Sequence, residues 1–384
     1  MQSAELRSRA WVEVDLDALR ANAETVCRAA GPGVGLLPMV KADAYGLGMA
    51  EIVRALAGSI AAERLAGFGV AAVAEGEALR AQGWPGRILV FSPTPPAEFE
   101  RAADTDLTLC LSDLASVSRW ASVAGGRGRM LPMHTEIDTG MGRAGFAWNR
   151  AAGWGGEVDR LAEGRLRWEG CYTHFHSADG PDLGPTHRQW ERFRDAVSAL
   201  PPDRGGSRRL LHVSNSAGAL RCRFPGDLVR PGIFLYGGRV ASEHPCPVVS
   251  VRARITLARE AAAGTSLGYG VTYVAQRPEQ WGTLAIGYGD GLPRILGSAG
   301  GAALVHGRRV PIIGRISMDV AVVDLTDVAG AAAGDVATLI GRDGEEEITV
   351  EEVAERAGTI SYEILTGLSP RLPRVYLSPS APGG

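Results

Sequence analysis

From about residue 34 the chain alternates short apolar runs with amphipathic stretches. The runs that read as strands are 34–41 (VGLLPMVK), 67–73 (GFGVAAV), 87–91 (RILVF), 107–111 (LTLCL), 129–137 (RMLPMHTEI), 167–175 (RWEGCYTHF), 210–215 (LLHVSN) and 232–237 (GIFLYG). Between most of them lie stretches with helical spacing of apolar positions, such as AEGEALRAQG and WERFRDAVSAL. Buried strands separated by helices predict parallel pairing through crossover connections. Eight such units closing on themselves make a (β/α)8 barrel. An open doubly wound sheet is the alternative, and it lacks the Gly-x-Gly-x-x-Gly turn expected after its first strand.

After Pro245 the texture changes. The stretches PVVSVRARITLARE, GTLAIGYGDG, GAALVHGRRVPIIGRISMDVAVVDLTD and DVATLIG alternate apolar and polar residues between glycine-rich turns. That alternation predicts antiparallel strands with one buried face. Only EITVEEVAERAG and SYEILTGL read as helices. The expected organisation is therefore an α/β protein: a barrel over 12–243, then a mainly antiparallel β domain over 244–384. The N-terminal segment 1–14, which carries WVEV, is expected to join the second domain.

Composition narrows the classes. A net charge of −3 over 384 residues gives no electrostatic reason to bind nucleic acid or an anionic membrane. No run reaches the roughly 18 apolar residues of a membrane span, and the N-terminus lacks a signal-peptide core. The five cysteines are odd in number and form no Cys-x-x-Cys pair, which reads as reduced thiols in a cytoplasmic protein. The seven histidines (134, 174, 176, 187, 212, 244 and 306) form no metal-ligand spacing, so no metal is expected.

One count stands out: among 40 basic residues Lys41 is the single lysine. A genome rich in arginine codons accounts for the arginines. Arginine replaces lysine wherever charge suffices, but not where an amine must deprotonate and attack a carbonyl. Lys41 ends the first predicted strand, the rim on which barrels of this type place their chemistry. His174, the Ser214-Asn215-Ser216 cluster and Arg230 fall on the same rim.

The segment Met39-Val40-Lys41-Ala42-Asp43-Ala44-Tyr45-Gly46 resembles the cofactor-lysine motif of the alanine racemase family, whose members use pyridoxal 5'-phosphate (PLP). It is followed in order by Asp138-Thr139-Gly140-Met141-Gly142-Arg143, Thr173-His174-Phe175, Asn215-Ser216, Arg230-Pro231-Gly232-Ile233, Gly268-Tyr269-Gly270, Gly287-Tyr288-Gly289-Asp290-Gly291, Gly314-Arg315-Ile316-Ser317-Met318-Asp319 and Ser361-Tyr362-Glu363. The resemblance runs from about Trp11 to Tyr376.

The resemblance implies the following roles. Lys41 binds PLP covalently and serves as the base on the face used by D-alanine. Tyr269 is the base on the opposite face, helped by His174 and Arg230, because a free phenol with a pKa of about 10 is a poor base at neutral pH. Arg230 faces the pyridine nitrogen and leaves it unprotonated, which favours return of the proton to Cα over transamination. Tyr45, Ser216, Tyr362 and the amides of Gly232 and Ile233 hold the phosphate, with Asn215 beside them. Arg143 and the Met318 amide hold the substrate carboxylate. His212 and Asp319 support these groups, and Asp179, Tyr288, Arg294 and Arg315 line the access channel. The family pairs two chains head-to-tail, so a homodimer with shared active sites is expected, acting on a small amino acid and supplying D-alanine for peptidoglycan.

Three positions depart from the family. Glu136 stands where many members carry a carbamylated lysine; it supplies the negative charge without carbon dioxide chemistry and is expected to form a charge-assisted bond to Arg143. Asp43 and Leu47 replace a common Asn and His. Alternative readings are a racemase of different specificity, such as serine, a decarboxylase of the same barrel type, and a non-catalytic PLP-binding barrel. The decarboxylases use a second-domain cysteine, and the only one here is Cys246 at the domain boundary. The non-catalytic barrels lack a second domain.

Overall fold

The computed structural model describes residues 8–203 and 208–378; residues 1–7 and 379–384, the outer parts of the expected second domain, lie outside the described residues. Eight short parallel strands follow one another: Gly35–Leu36, Phe68–Val70, Ile88–Val90, Thr108–Leu111, Leu131–Asp138, Leu166–Tyr172, Leu210–His212 and Leu228–Val229. From the second to the seventh, each pairs with the next in parallel register. Parallel bridges at Leu36–Leu65 and Met39–Gly69 join the first strand to the second. Hydrogen bonds from Asp227 N to Leu211 O (2.7 Å) and from Arg230 N to Ser214 O (2.9 Å) join the seventh to the eighth. The eighth pairs back onto the first, and the barrel closes as expected.

Strand alternation sorts the core. Ile88 and Val90 pack outward with the helices, whereas Leu89 joins Leu37, Cys110 and Tyr172 in a separate cluster on the opposite, axial face. The eighth strand is not where the apolar run 232–237 puts it. Leu228–Val229 is the strand, and Ile233–Tyr236 is a short 3-10 helix with all four residues buried. Pro231 donates no hydrogen bond, and Gly232 leaves the extended region at φ −128, ψ −98. A run buried on every side has no period by which strand and helix can be told apart.

The C-terminal part forms a nine-stranded sheet whose long strand Val249–Ala261 pairs with Glu279–Leu284 near one end and with Val336–Asp343 near the other. The sheet thereby curls onto itself, which leaves fewer free edges. The strand Ala10–Asp15 lies in this sheet, antiparallel to Val249–Ala261 and parallel to Arg374–Leu377. The chain thus enters through the β domain before building the barrel.

Two links lock the parts together. Buried Asn22, on the helix Leu16–Ala30, donates to Cys246 O (3.0 Å) and accepts from Cys246 N (2.7 Å), which fixes the connection between the domains. On the C-terminal strand, Arg374 donates to Gly46 O at 2.7 Å and the Tyr376 hydroxyl donates to Leu47 O at 3.0 Å. Both anchor the loop that follows Lys41. Among the described residues no helix is long and apolar enough to cross a membrane.

Candidate active site

Lys41 leaves the first barrel strand into a turn of unusual hand. Ala42, Asp43, Ala44 and Tyr45 all hold left-handed helical angles, with φ between 53 and 58. Each L-residue so placed costs roughly 1–2 kcal/mol, so the turn persists only because its surroundings hold it. The braces are visible. Asp43 accepts from Met49 N at 2.8 Å, and Ala44 N donates to Val40 O at 2.9 Å. Gly46 continues at φ +83 where a Cβ would meet Leu365 O at 2.6 Å. Leu47, which departs from the family pattern, is fully buried.

The turn leaves Lys41 half-buried on the rim and sends Tyr45 inward. Burial first, and then the Arg143 guanidinium, lower the pKa of the Lys41 amine, while Glu75 acts in the opposite sense. Tyr45 is buried and stacks on Tyr236, with ring centroids 4.6 Å apart, and lies 6.1 Å from the Tyr362 ring. Its hydroxyl abuts Gly232 so closely that a Cβ there would overlap it. Gly232 N donates to Ser216 Oγ at 2.9 Å. Tyr45, Ser216 and the Gly232–Ile233 backbone therefore converge on one small polar cradle. Asn215 shapes its edge by accepting from Gly218 N at 2.9 Å. Burial, and then the exposed Asp179, raise Tyr362 to about 12.

Arg230 is the hub of the interior. It is 3% exposed, and its donors go to neutral groups: His212 Nδ1 (3.0 Å), His212 O (2.7 Å), Thr173 O (2.8 Å) and His174 Nδ1 (3.4 Å). The guanidinium also lies over the Tyr172 ring at 5.2 Å. Burial lowers its pKa to about 10, so it stays charged at neutral pH. Because arginine only donates, His212 Nδ1 accepts. The neutral His212 then carries its proton on Nε2, 2.8 Å from His134 Nδ1. Burial, followed by Arg230, Arg143 and Lys41, lowers His174 to about 3, and burial with Arg87 and Arg230 lowers His134 likewise to about 3. His212 is pushed well below its usual range by burial and Arg230.

Arg143 stands exposed on the loop after the fifth strand, shaped by Asp138, whose Oδ1 accepts from Gly140 N (2.9 Å) and Gly142 N (3.0 Å). The charge-assisted bond expected between Glu136 and Arg143 is not formed. Glu136 points into the barrel, is buried, and accepts from the Tyr172 hydroxyl at 3.0 Å. Burial raises its carboxyl, while Tyr172, Arg143 and Arg230 act to hold it down. Tyr172 and His134 were not among the residues singled out from the sequence. Only the inward register of their strands marks them.

The second-domain residues assemble elsewhere. Tyr269 is 70% exposed, on the short turn Tyr269–Val271, with the Arg315 guanidinium against Gly270. Met318 is exposed, and its carbonyl accepts from Gly289 N at 2.8 Å, which sets it beside Tyr288. Asp319 accepts from Arg371 at 2.6 Å, and fully buried Asp290 takes both Arg9 (2.6 Å) and Arg371 (3.3 Å), fixing this loop pair. Arg294 and Arg315 are exposed. Among the described residues no hydrogen bond, ion pair or ring contact joins Tyr269 to the barrel. Lys41 and Tyr269 are not brought together within one chain.

The donor set fits the cofactor implied by the sequence. One amine meets a carbonyl, a hydroxyl and amide cradle suits a phosphate, and a buried guanidinium lacking a carboxylate partner suits an unprotonated ring nitrogen. The comparisons agree. Residues 14–240 match the family model for the alanine racemase N-terminal domain and residues 248–376 that for its C-terminal domain. An alanine racemase of Halothermothrix orenii is 36% identical, covering 95% of this chain and 96% of that protein. The alanine racemase structure of Streptomyces coelicolor superposes with a TM-score of 0.88 at 34% identity, covering 98% of this chain and 100% of the other. That of Bartonella henselae, with covalently bound pyridoxal phosphate, gives a TM-score of 0.86 at 30% identity, covering 96% and 100%.

Two outcomes follow from this geometry. Gly232→Ala forces the Tyr45 hydroxyl out of the cradle and should weaken PLP binding by about tenfold or more, read as the dissociation constant from the cofactor's absorbance. The buried histidines set an acid limb of stability. Their folded pKa values lie below the unfolded value near 6.5, so below that pH the unfolded chain binds more protons. Stability should be fully present above about pH 6.5 and fall steadily toward about pH 3, and His134→Phe should flatten this dependence in urea melts at stepped pH.

Proposed function

The chain belongs to the alanine racemase family, and on that premise we propose how its own residues interconvert L- and D-alanine with PLP. It is a PLP-dependent racemase acting on a small amino acid. The observation that carries the site assignment is Lys41: the one lysine of the chain, at the end of the first barrel strand, with its amine pushed down by burial and Arg143.

PLP when bound supplies an electron sink that acidifies the Cα–H bond. Lys41 anchors it. Tyr45, Ser216, Tyr362 and the amides of Gly232 and Ile233 hold its phosphate, beside Asn215, and Arg230, fixed by His212, donates toward its ring nitrogen. His174, kept neutral, stands between Arg230 and the rim and serves as a hydrogen-bonding partner rather than a second cation. Arg143 and the Met318 amide bind the substrate carboxylate and orient the Cα–H bond. Lys41 takes or returns the proton on the face used by D-alanine, and Tyr269 does so on the other. Asp319, held by Arg371, keeps the Met318 loop in place, while Asp179, Tyr288, Arg294 and Arg315 line the approach.

Because Tyr269 stands in solvent within one chain, the second base of each site comes from the partner subunit's Tyr269 in a head-to-tail homodimer. The cysteines, none in a disulfide, support a cytoplasmic location. Use of the D-alanine in peptidoglycan follows the family's role and belongs to the same proposal.

Glu136 stands in for the carbamate. Its charge, held by Tyr172, interacts through space with both Arg143 and Arg230.

Mixing inactive Lys41→Ala with inactive Tyr269→Phe tests the shared site. In a heterodimer one site carries both defects and the other neither, so isolated heterodimer should show about half of wild-type activity, and a fully exchanged equimolar mixture, about half of it heterodimer, about a quarter. Verified heterodimers that stay inactive, or a fully active monomer, would refute it. Glu136→Gln should raise KM for alanine several-fold while changing PLP affinity little, and wild-type activity should be unaffected by bicarbonate. An unchanged KM would make Glu136 a bystander.

A further inference from the structure

Glu75 has so far entered only as a charge acting on the Lys41 amine. It is the third residue of the helix Val73–Ala81, which follows the second barrel strand. Its Oε2 accepts from Ala71 N at 2.7 Å and from Ala72 N at 3.2 Å. Those two bonds are ordinary for an acid in the first turn of a helix. The third is not. Oε1 accepts from Ala42 N at 2.6 Å, and Ala42 is both the residue after Lys41 and the first of the four left-handed residues. One carboxylate therefore ties the second βα connection to the start of the strained turn.

The same charge acts on the amine. Glu75 and Arg143 pull the Lys41 proton in opposite senses, and Lys41 in turn is felt by His174. His174 is neutral, so among these groups Glu75 is the anion facing Lys41. A side chain that only capped its own helix would need neither the Ala42 contact nor this position.

We propose that Glu75 is a positioning residue for Lys41: through the Ala42 N–H it holds the left-handed turn that aims the amine, and its negative charge stabilises the protonated amine at the rim. The inference rests on Lys41 as the cofactor-binding base. Two variants separate it from helix capping. Glu75→Gln keeps the length and loses the charge. Glu75→Asp keeps the charge and the short-range caps at Ala71 and Ala72, but is one methylene too short to reach Ala42 as well.

The single lysine makes the test direct, because acylation of the full-length cofactor-free chain reports Lys41 on one peptide. Competitive acylation across pH, read by peptide mass spectrometry, should give a Lys41 titration lowered by about half to one pH unit in Glu75→Gln and by less in Glu75→Asp. Hydrogen exchange over the 41–48 segment should quicken about tenfold in both variants, and the PLP dissociation constant should rise by a similar factor. Wild-type titration in Glu75→Gln together with wild-type exchange in Glu75→Asp would reduce Glu75 to a helix cap and overturn the proposal. Failure of borohydride to fix PLP on Lys41 in the wild type would instead overturn the reading of Lys41, and the inference with it.

Discussion

The structure is organised around keeping four consecutive L-residues in a left-handed turn directly after the only lysine. Left to itself that turn would relax into the right-handed region. It is held by the barrel strand before it, by the bond from Met49 N to Asp43, by Glu75 of the next βα unit, and by Arg374 and Tyr376 of the C-terminal strand. The last two tie the β domain to the loop that follows Lys41. The domain that seems remote from the chemistry closes over the loop that aims the amine. What the turn provides is placement, since it presents Lys41 on the rim and sends Tyr45 the other way, into the cradle.

Electrostatics is the second organising term. The Arg143 guanidinium acts against the proton of Lys41 and against that of Arg230, and the buried Arg230 is hydrogen-bonded to neutral acceptors alone. Burying a guanidinium costs several kcal/mol unless its donors are satisfied, and here three carbonyls and two imidazole rings satisfy them. The neutral histidines are part of that arrangement: protonating any of them would place a second cation against the first. Glu136 and Glu75 provide the compensating anions, one inside the barrel and one at the rim. Such a field favours an anionic ligand.

The division of residues between the two domains accounts for the proposed assembly. The barrel gathers the amine, the cradle and the guanidinium hub, whereas Tyr269, Met318 and Tyr288 stand exposed on the β domain around a loop pair pinned by Asp290.

Much of this was legible in the chain. Alternating apolar runs specify parallel strands and then an antiparallel domain, because buried faces impose periods of two and 3.6 on any sequence that folds this way. The lone lysine marks the amine because arginine cannot do its chemistry. The ordered motifs name the cradle, the hub and the exposed tyrosine. Other features were decided only by tertiary structure. The eighth strand moved from 232–237 to Leu228–Val229, since an apolar run buried on all sides carries no period. Glu136 turned to Tyr172 instead of Arg143 because strand register points it to the axis, and pairing across strands is invisible in a linear pattern. The left-handed turn has no glycine among its four residues to announce it, and Glu75, 33 residues from Ala42, meets it only once the barrel has closed. Local rules fix the period of a segment; long-range closure fixes which atoms meet.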